Sequence, residues 1–230
     1  MKKAVVIVSG GMDSVTLAHF YRGQGFDLSI LSFDYGQRHA KELGFAKACA
    51  DKLGAQHTVV DLSSLRALLP GSSLTDDSVE VPEGHYAADS MKATVVPNRN
   101  AIMLAIAYGH AVAIGAQVVA FGAHGGDHFI YPDCRPAFYD SLNLALEIGN
   151  EGFGAEGLHL EAPFIQIEKS DIAKIGLLDG VDFSQTWSCY KGGDLHCGKC
   201  GTCVERKEAF QVAGIEDPTI YEDDHAAARS

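Results

Sequence analysis

The sequence carries little positive charge for its length. Its 230 residues contain 18 Lys and Arg against 30 Asp and Glu, which gives a formal net charge of −12. Proteins that bind a nucleic-acid backbone usually present a basic face, and no dense run of Lys or Arg occurs in this chain. We therefore expect no nucleic-acid partner.

Long hydrophobic runs are also missing. No apolar stretch approaches the roughly 20 residues needed to span a bilayer. The N-terminal stretch MKKAVVIVSGG contains an apolar run about half as long as a signal-peptide core, and no small-residue cleavage site follows it. The sequence therefore predicts a cytoplasmic protein with no membrane partner.

The sequence also lacks the distribution of cysteines along the chain that is typical of a disulfide framework. Four of the six cysteines lie in one short segment with the spacing C-x7-C-x2-C-x2-C, which suggests a metal site in a reducing compartment. Four thiolates suffice for one tetrahedral structural zinc ion with no open position for water. An iron–sulfur cluster is the main alternative, and a redox-active CxxC pair or four unliganded thiols are weaker ones. The predicted ligands are Cys189, Cys197, Cys200 and Cys203.

Apolar runs and amphipathic stretches alternate along the chain. Runs such as KKAVVIVS and LSILSFDYG are typical of buried parallel strands, whereas HAKELGFAKACADKLGA has the apolar spacing of a helix. This alternation predicts an α/β fold with a doubly wound, mostly parallel sheet and helices on both faces. Such sheets bind ligands at the carboxyl ends of their strands.

The first predicted strand ends in the sequence SGGMDS, residues 9–14. A glycine turn between a strand and a helix exposes backbone N–H groups, which bind anions together with the helix N-terminus. Neither the lysine of a Walker A loop nor the G-x-G-x-x-G dinucleotide pattern is present. Because a carboxylate would repel phosphates unless Mg²⁺ lay between them, Asp13 predicts a metal–pyrophosphate site. A turn that needs glycine only for packing is the alternative.

This turn resembles the S-G-G-x-D-S loop of the N-type ATP pyrophosphatases, the PP-loop superfamily. The resemblance implies an adenine nucleotide α-hydrolase-like fold and a loop that grips the pyrophosphate of ATP while a substrate oxygen attacks the α-phosphorus. It also implies a catalytic role for Asp13. The implied ATP-binding residues are Val8, Ser9, Gly10, Gly11, Met12, Asp13, Ser14, Val15, Thr16, Leu17 and Ala18.

Further motifs match one branch of this superfamily. Together with the cysteine cluster they closely resemble the 7-cyano-7-deazaguanine synthase family, the nitrile-forming enzymes of queuosine precursor synthesis. The match runs from the first strand to the cysteines. The motifs are FDYGQRHAKEL (33–43), VPNRN (96–100), YPDCR (131–135), KSDI (169–172) and TWSCY (186–190).

The second resemblance implies a defined reaction. ATP with Mg²⁺ activates the carboxylate of 7-carboxy-7-deazaguanine, ammonia forms the amide, and a second activation lets the amide oxygen leave, which gives the nitrile preQ0. The protein would be an ATP-dependent ligase that forms C–N bonds, with Zn²⁺ in the cysteine cluster. The resemblance also suggests a homodimer; the apolar helix around residues 102–114 could supply its buried surface or form the core of one subunit.

Charged residues in the matching motifs are candidates for the substrate site. Arg99 would neutralise phosphate or carboxylate charge, with an ordinary salt bridge as the alternative. Lys169, at a helix start, would reach the α-phosphate, with a solvated lysine as the alternative. We expect both to be catalytic with Asp13. Asp127 or Asp133 would bind the amidine edge of the base, unless these carboxylates cap loops.

Aromatic residues and departures from the family pattern bear on finer substrate contacts. Phe33 or Tyr35 could stack on a base, although strand aromatics usually belong to the core. The chain has Phe129 and Ile130 where Ser-Gly is usual, and Asn98 where glycine is common. These differences concern contacts rather than the class of enzyme. Three histidines are given no role: His39, His124 and His128.

The motifs divide the chain into two predicted regions. Residues 1–183 form the ATP-binding α/β domain, which contains a polar segment, 71–97, predicted to be a mobile insertion. Residues 184–230 form a small region that the bound metal would help to fold.

Two other functions compete with this prediction. A tRNA-modifying PP-loop adenylating enzyme should carry a basic RNA-binding appendage, which the net charge of −12 disfavours. A zinc-finger-type regulatory protein would explain the cysteines, but not the glycine turn or the alternation of strands and helices.

Overall fold

A computed structural model describes residues 1–222 of the chain. Its centre is a five-stranded parallel sheet in the order β3-β2-β1-β4-β5. This arrangement, with helices on both faces, confirms the predicted doubly wound α/β fold. The strands are β1 Lys3–Ile7, β2 Asp27–Asp34, β3 Gln56–Asp61, β4 Val118–Ala120 and β5 His159–Glu161.

Helices form most of the connections, where the amphipathic stretches predict them. Helices α2 and α4 are followed by Gly54 and Gly115, which both adopt the left-handed conformation common at helix C-termini. The α-helices are α1 Met12–Gly23, α2 Glu42–Leu53, α3 Leu65–Leu68, α4 Arg99–Ile114, α5 Pro136–Gly149, α6 Lys169–Leu178 and α7 Gly201–Ala213. Short 3-10 helices span Asp89–Thr94, Gly125–Phe129, Pro132–Cys134 and Phe183–Gln185.

Apolar side chains cover both faces of the sheet. Helices α1, α2, α6 and α7 pack on the face that carries Val6 and Ile30. Helices α4 and α5 pack on the opposite face, which carries Val5 and Leu31. Because successive side chains of a strand point to opposite faces, the continuous apolar runs of β1 and β2 fill both cores.

Helix α4 belongs to the core of this chain. It buries Met103, Leu104, Ala107 and others against the sheet. The apolar face of residues 102–114 is therefore used within the subunit, and the homodimer remains a prediction. Among residues 1–222, no helix is both long and apolar enough to cross a membrane.

The strand order reverses at β1. Strands β2 and β3 lie on one side of it, and β4 and β5 lie on the other. In parallel sheets, the crevice outside the carboxyl ends of the strands at this switch point binds ligands. The glycine turn follows β1 and residues 121–123 follow β4, so both border the crevice.

Two segments outside the sheet close over this crevice. Segment 71–97 has no strand, but Tyr86 and Met91 are buried; its mobility remains a prediction. The C-terminal region contacts the glycine turn, because the Trp187 N–H donates to the Gly10 carbonyl at 2.9 Å. Residues 223–230 of the predicted 184–230 region lie outside the described residues, and the division into two domains remains a prediction.

Candidate active site

The glycine turn is shaped by its own hydroxyl groups and by a close approach of α2. Gly10 has a φ of +104°, and a Cβ there would lie 2.2 Å from the Glu42 carbonyl oxygen, so the position requires glycine. Ser14 Oγ accepts hydrogen bonds from the N–H groups of Ser9 at 3.1 Å and Gly10 at 3.4 Å. Gly11 precedes α1 and supplies no side-chain cap. The first N–H groups of α1 therefore face outward, as an anion site needs.

A cavity of about 230 Å³ opens at this turn. It extends to the end of β2, the loop after β4, the start of α4 and the C-terminal region. Both predicted stacking residues, Phe33 and Tyr35, belong to its wall. Aromatic walls with a few convergent polar groups are typical of small-molecule sites. The aromatic lining residues are Phe33, Tyr35, Tyr86, Phe121, Tyr131, Trp187 and Tyr190.

The cavity brings together most of the predicted site residues. Arg99, Asp127 and Lys169 line it, and so do Val8, Ser9, Gly11, Met12, Asp13 and Ser14 of the turn. The remaining predicted nucleotide residues do not line the cavity. Gly10 lies in the turn itself, and Val15, Thr16, Leu17 and Ala18 are buried in α1 beneath the turn.

Asp133 is the predicted substrate residue that the structure places elsewhere. It does not line the cavity. Its Oδ2 accepts a hydrogen bond from the Asn100 N–H at 3.2 Å, at the start of α4. This contact corresponds to the capping role that the sequence left open for it.

Lys169 lies between two carboxylates. Its Nζ is 3.0 Å from Asp13 Oδ2 and 2.6 Å from Glu205 Oε2. Burial lowers the pKa of Lys169, but the charges of Asp13, Glu205 and Asp127 outweigh burial and raise it above its usual value. The lysine is therefore a fixed cation that joins the glycine turn to helix α7.

His124 and Asp127 form the next layer of this charged cluster. His124 Nδ1 accepts a backbone N–H at 3.1 Å, and its Nε2 lies 3.4 Å from Lys169 Nζ, 3.5 Å from Asp127 Oδ1 and 3.7 Å from Glu205 Oε1. Asp127 accepts hydrogen bonds from the Tyr86 hydroxyl at 2.9 Å and from the His124 N–H at 3.1 Å. Burial raises the pKa of Asp127, but the charge of Lys169, the electrostatic effect of His124 and these hydrogen bonds produce a net lowering. Asp127 is thus an anion with both oxygens occupied.

Three members of this cluster were missed by sequence reasoning: Glu205, Tyr86 and, as a site residue, His124. Glu205 is 36 residues from Lys169, and Tyr86 is 41 residues from Asp127. The spacing of residues within a short motif cannot predict contacts between residues so far apart in the sequence. The available signals were weak: a carboxylate directly after the cysteine cluster, and an aromatic residue within a polar segment.

Arg99 faces the cavity with no acidic partner among the described residues. Its Nη1 donates to the Tyr35 hydroxyl at 3.3 Å, and its guanidinium lies 5.7 Å from the centre of that ring. Within residues 1–222, no carboxylate comes within the 4.0 Å of an ion pair with Arg99. Because an unpaired cation withdrawn from water is costly, this side chain suits an anionic ligand better than the ordinary salt bridge that the sequence left open.

The departures from the family pattern leave the cavity intact. Asn98 precedes α4 with a φ of +60°, in the left-handed region that glycine and asparagine tolerate best. Asparagine therefore satisfies the backbone where glycine is common. Ile130 is buried and Phe129 is 72% exposed, and neither lines the cavity.

The four clustered cysteines are buried, and their sulfur atoms lie within 4.8 Å of one another. The N–H groups of Lys199 and Cys200 point to Cys197 Sγ at 3.4 and 3.2 Å, as they would to a thiolate. A tetrahedral ion with metal–sulfur bonds of about 2.3 Å separates its ligands by about 3.8 Å. The cluster therefore has the size to hold one metal ion.

The fold is similar to that of NMN synthetase from Francisella tularensis. The TM-score is 0.51 at 13% sequence identity, over 94% of this chain and 78% of that chain. At this identity the similarity shows the fold alone. The chain is thus a doubly wound α/β protein with a glycine turn after β1, as the sequence predicts.

Sequence comparisons then define the family within this class. A family model described as Queuosine biosynthesis protein QueC matches residues 3–214. A 7-cyano-7-deazaguanine synthase from Rhizobium rhizogenes is 56% identical over 96% of this chain and 92% of that protein. Another 7-cyano-7-deazaguanine synthase, from Brucella anthropi, is 55% identical over 96% of this chain and 94% of that protein. The chain belongs to the QueC family of queuosine biosynthesis, which confirms the resemblance carried by its motifs.

Proposed function

We propose that this protein is an ATP-dependent ligase that converts 7-carboxy-7-deazaguanine and ammonia to 7-cyano-7-deazaguanine. The observation that carries the proposal is the presence of Arg99 and the glycine turn in one cavity. The turn offers backbone donors to phosphates. Arg99 offers an unpaired cation to the substrate carboxylate. Together they would bring a carboxylate oxygen to the α-phosphorus of ATP.

The proposed chemistry uses adenylation twice. A carboxylate oxygen attacks the α-phosphorus, the bond to pyrophosphate breaks and pyrophosphate leaves. Ammonia then adds to the acyl carbon, and AMP departs with the original oxygen to give the amide. In the second round the amide oxygen is adenylated, and loss of AMP from the resulting imidate leaves the nitrile. The aromatic wall would limit hydrolysis of these adenylates by excluding water.

Lys169 is the proposed cation at the α-phosphate. Its ion pairs with Asp13 and Glu205 hold the ammonium at the mouth of the glycine turn. A cation positioned before the reaction stabilises charge that develops on phosphate oxygens without having to reorient. In this proposal Glu205 and His124 position the lysine and do not touch the substrate.

Asp13 fits a ligand of Mg²⁺. Its Oδ2 pairs with Lys169, whereas Oδ1 is buried and has no hydrogen-bond partner among residues 1–222. An unpartnered carboxylate oxygen beside a phosphate site has the chemistry that Mg²⁺ prefers. We expect Asp13 to hold the ion, which when bound would neutralise charge on the pyrophosphate.

Zinc is the proposed metal of the cysteine cluster. Four sulfur ligands complete a tetrahedral site, so the ion would be structural rather than catalytic. The region that it would organise supplies Ser188 and Thr202 to the cavity and Glu205 to the charged cluster.

The proposal retains ammonia as the nitrogen source and a homodimer, as the resemblance implies, and a cytoplasmic location, as the apolar pattern of the sequence predicts. The formal net charge of −12 supports a small-molecule substrate rather than a nucleic acid.

Mass spectrometry of the products tests the proposed function. The protein is incubated with ATP, Mg²⁺, ammonia and 7-carboxy-7-deazaguanine. We expect the nitrile to form, to be lost in Asp13→Ala with the metal content of the cysteine cluster unchanged, and to persist in the exposed control Asp140→Ala. Full turnover by Asp13→Ala would remove the role given to Asp13. Absence of the nitrile with the unmodified protein would overturn the function.

A further inference from the structure

We infer that Glu42 binds the edge of the substrate base, where its carboxylate accepts hydrogen bonds from the ring N1–H and the 2-amino group of a guanine-type ligand. This inference rests on the proposed function and adds a residue that determines specificity.

Glu42 is placed at the mouth of the nucleotide site by the fold itself. It is the first residue of α2, and its carbonyl oxygen packs against Gly10 so closely that a Cβ there would be 2.2 Å away. Its side chain is only 10% exposed, and that exposure is toward the cavity that it lines with Arg99.

The hydrogen bonds of Glu42 leave one oxygen for a ligand. Gln37 Nε2 donates to Oε1 at 3.3 Å, and His39 Nε2 lies 3.5 Å from the same oxygen. Within residues 1–222 no hydrogen bond reaches Oε2, and no lysine or arginine pairs with this carboxylate. Burial, with the charges of Arg99 and Arg38, lowers the pKa of His39 to about 3, so the imidazole beside Glu42 is neutral.

The orientation of the Gln37 amide makes Glu42 an acceptor. Gln37 Oε1 accepts the Tyr35 N–H at 2.9 Å, so its NH₂ group must be the one that faces Glu42. The same NH₂ group donates to the Phe33 carbonyl at 3.1 Å. The residues at the end of β2 therefore hold Oε1 of Glu42 in place. The other oxygen, Oε2, is left to accept hydrogen bonds from a ligand in the cavity.

A carboxylate in this setting calls for a ligand with two adjacent donors. With no paired cation among residues 1–222, its charged form is costly away from water unless N–H groups satisfy it. A ligand that supplies two such donors would therefore favour the carboxylate over the protonated acid of the ligand-free protein. The N1–H and 2-amino groups of a guanine-type base lie side by side, at a spacing that matches the two oxygens of a carboxylate. Phe33 and Tyr35 also line this cavity, and a planar base would pack against their aromatic rings.

The other carboxylates proposed from the sequence are already occupied. Asp127 uses its two oxygens for the Tyr86 hydroxyl and the His124 N–H. Asp133 accepts a backbone N–H at the start of α4 and does not line the cavity. On a 7-carboxy-7-deazaguanine the carboxylate and the amidine edge project from opposite ends of the bicycle, so Arg99 and Glu42 would each hold one end.

A comparison of two substrates in two enzymes tests the inference. The substrates are 7-carboxy-7-deazaguanine and its analogue without the 2-amino group, and the enzymes are the unmodified protein and Glu42→Gln. For the unmodified protein we expect loss of the 2-amino group to lower kcat/KM by about 10- to 100-fold, as for a charged hydrogen bond. Glu42→Gln should lose activity on the guanine-type substrate and show less than a threefold difference between the substrates. Glu151→Gln, an exposed glutamate outside the cavity, should retain the full difference.

The possible outcomes separate the inference from the function. An equal effect of the 2-amino group in Glu42→Gln and the unmodified protein, with the nitrile still formed, overturns the role of Glu42 alone. If Glu42→Gln does not fold, the unmodified protein alone tests the inference. Equal kcat/KM values for the two substrates would then also overturn the role of Glu42. If the unmodified protein makes no nitrile, the proposed function fails, and the inference fails with it.

Discussion

Lys169, at the start of α6, forms an ion pair of 3.0 Å with Asp13 of the glycine turn. The contact brings a cation from the far end of the chain to the place where the phosphates of a nucleotide would lie. Because Glu205 holds the same ammonium at 2.6 Å, the lysine cannot leave the site without breaking two charged contacts.

Removal of the Lys169 charge should slow the reaction far more than it weakens the fold. We expect Lys169→Met to lower kcat for nitrile formation by about 100- to 1,000-fold, as for loss of one preorganised donor to a charged transition state. The matched control is Lys174→Met on the same helix, whose side chain is 49% exposed. Equal kcat values for the two variants would exclude a role for Lys169 at the α-phosphate.

Removal of Arg99 should raise KM for one substrate of the proposed reaction, the carboxylate, much more than for the other, the amide. The carboxylate substrate is an anion and the amide intermediate is neutral, so only the first should depend on the guanidinium charge. In Arg99→Met we expect KM to rise by about 10- to 100-fold for 7-carboxy-7-deazaguanine and by less than about threefold for the 7-amide.

Steady-state kinetics with each compound as the starting substrate provide the measurement. Arg22→Met, which removes an arginine at the exposed end of α1, should leave both KM values unchanged. A similar rise for the acid and the amide would mean that Arg99 does not pair with the substrate carboxylate.

Glu42 should make the stability of the ligand-free protein fall as pH rises. Burial raises the pKa of Glu42 to about 8 from 4.5, although the Gln37 hydrogen bond and the charge of Arg99 act to lower it. His39, the neighbouring imidazole, is neutral across this range. The folded protein therefore holds a proton that the unfolded chain releases, and its contribution is complete below about pH 4.5 and is lost as pH rises through about 8.

Urea denaturation at several pH values tests this sign. Between about pH 5 and pH 8, the free energy of unfolding should fall relative to that of Glu42→Gln by at most about 1.4 kcal/mol per pH unit. The control Glu151→Gln should follow the unmodified protein. A constant difference between the unmodified protein and Glu42→Gln would show that Glu42 does not take up a proton on folding.

Loss of the proposed metal from the cysteine cluster should abolish activity by disturbing the structure around the active site. Cys200→Ser removes one ligand from a region that is joined to the glycine turn by the hydrogen bond between Trp187 and Gly10. We expect metal content to fall below one per chain, the melting temperature to drop and nitrile formation to disappear together. Cys49→Ala, a buried cysteine in α2 outside the cluster, should keep its metal. Full activity of metal-free Cys200→Ser would contradict the structural role.

The sequence predicts those features whose cause is local. The glycine turn could be singled out because adjacent glycines between a strand and a helix favour anion binding, and the cysteine ligands because their spacing lies within one short segment. The pairing of Lys169 with Glu205 could not be predicted, since it depends on how α7 packs against α6. The free oxygen of Glu42 also escaped prediction, because it depends on which acceptors the folded chain has already satisfied.

The fate of one oxygen atom tests the central claim, that the substrate carboxylate is adenylated at the glycine turn. The protein is incubated with ATP, Mg²⁺, ammonia and 7-carboxy-7-deazaguanine labelled with ¹⁸O in its carboxylate. The masses of the nucleotide and phosphate products are then measured by mass spectrometry. We expect ¹⁸O to appear in the phosphate of AMP and pyrophosphate to carry no label. Unlabelled AMP, or ADP with the label in inorganic phosphate, would contradict this claim.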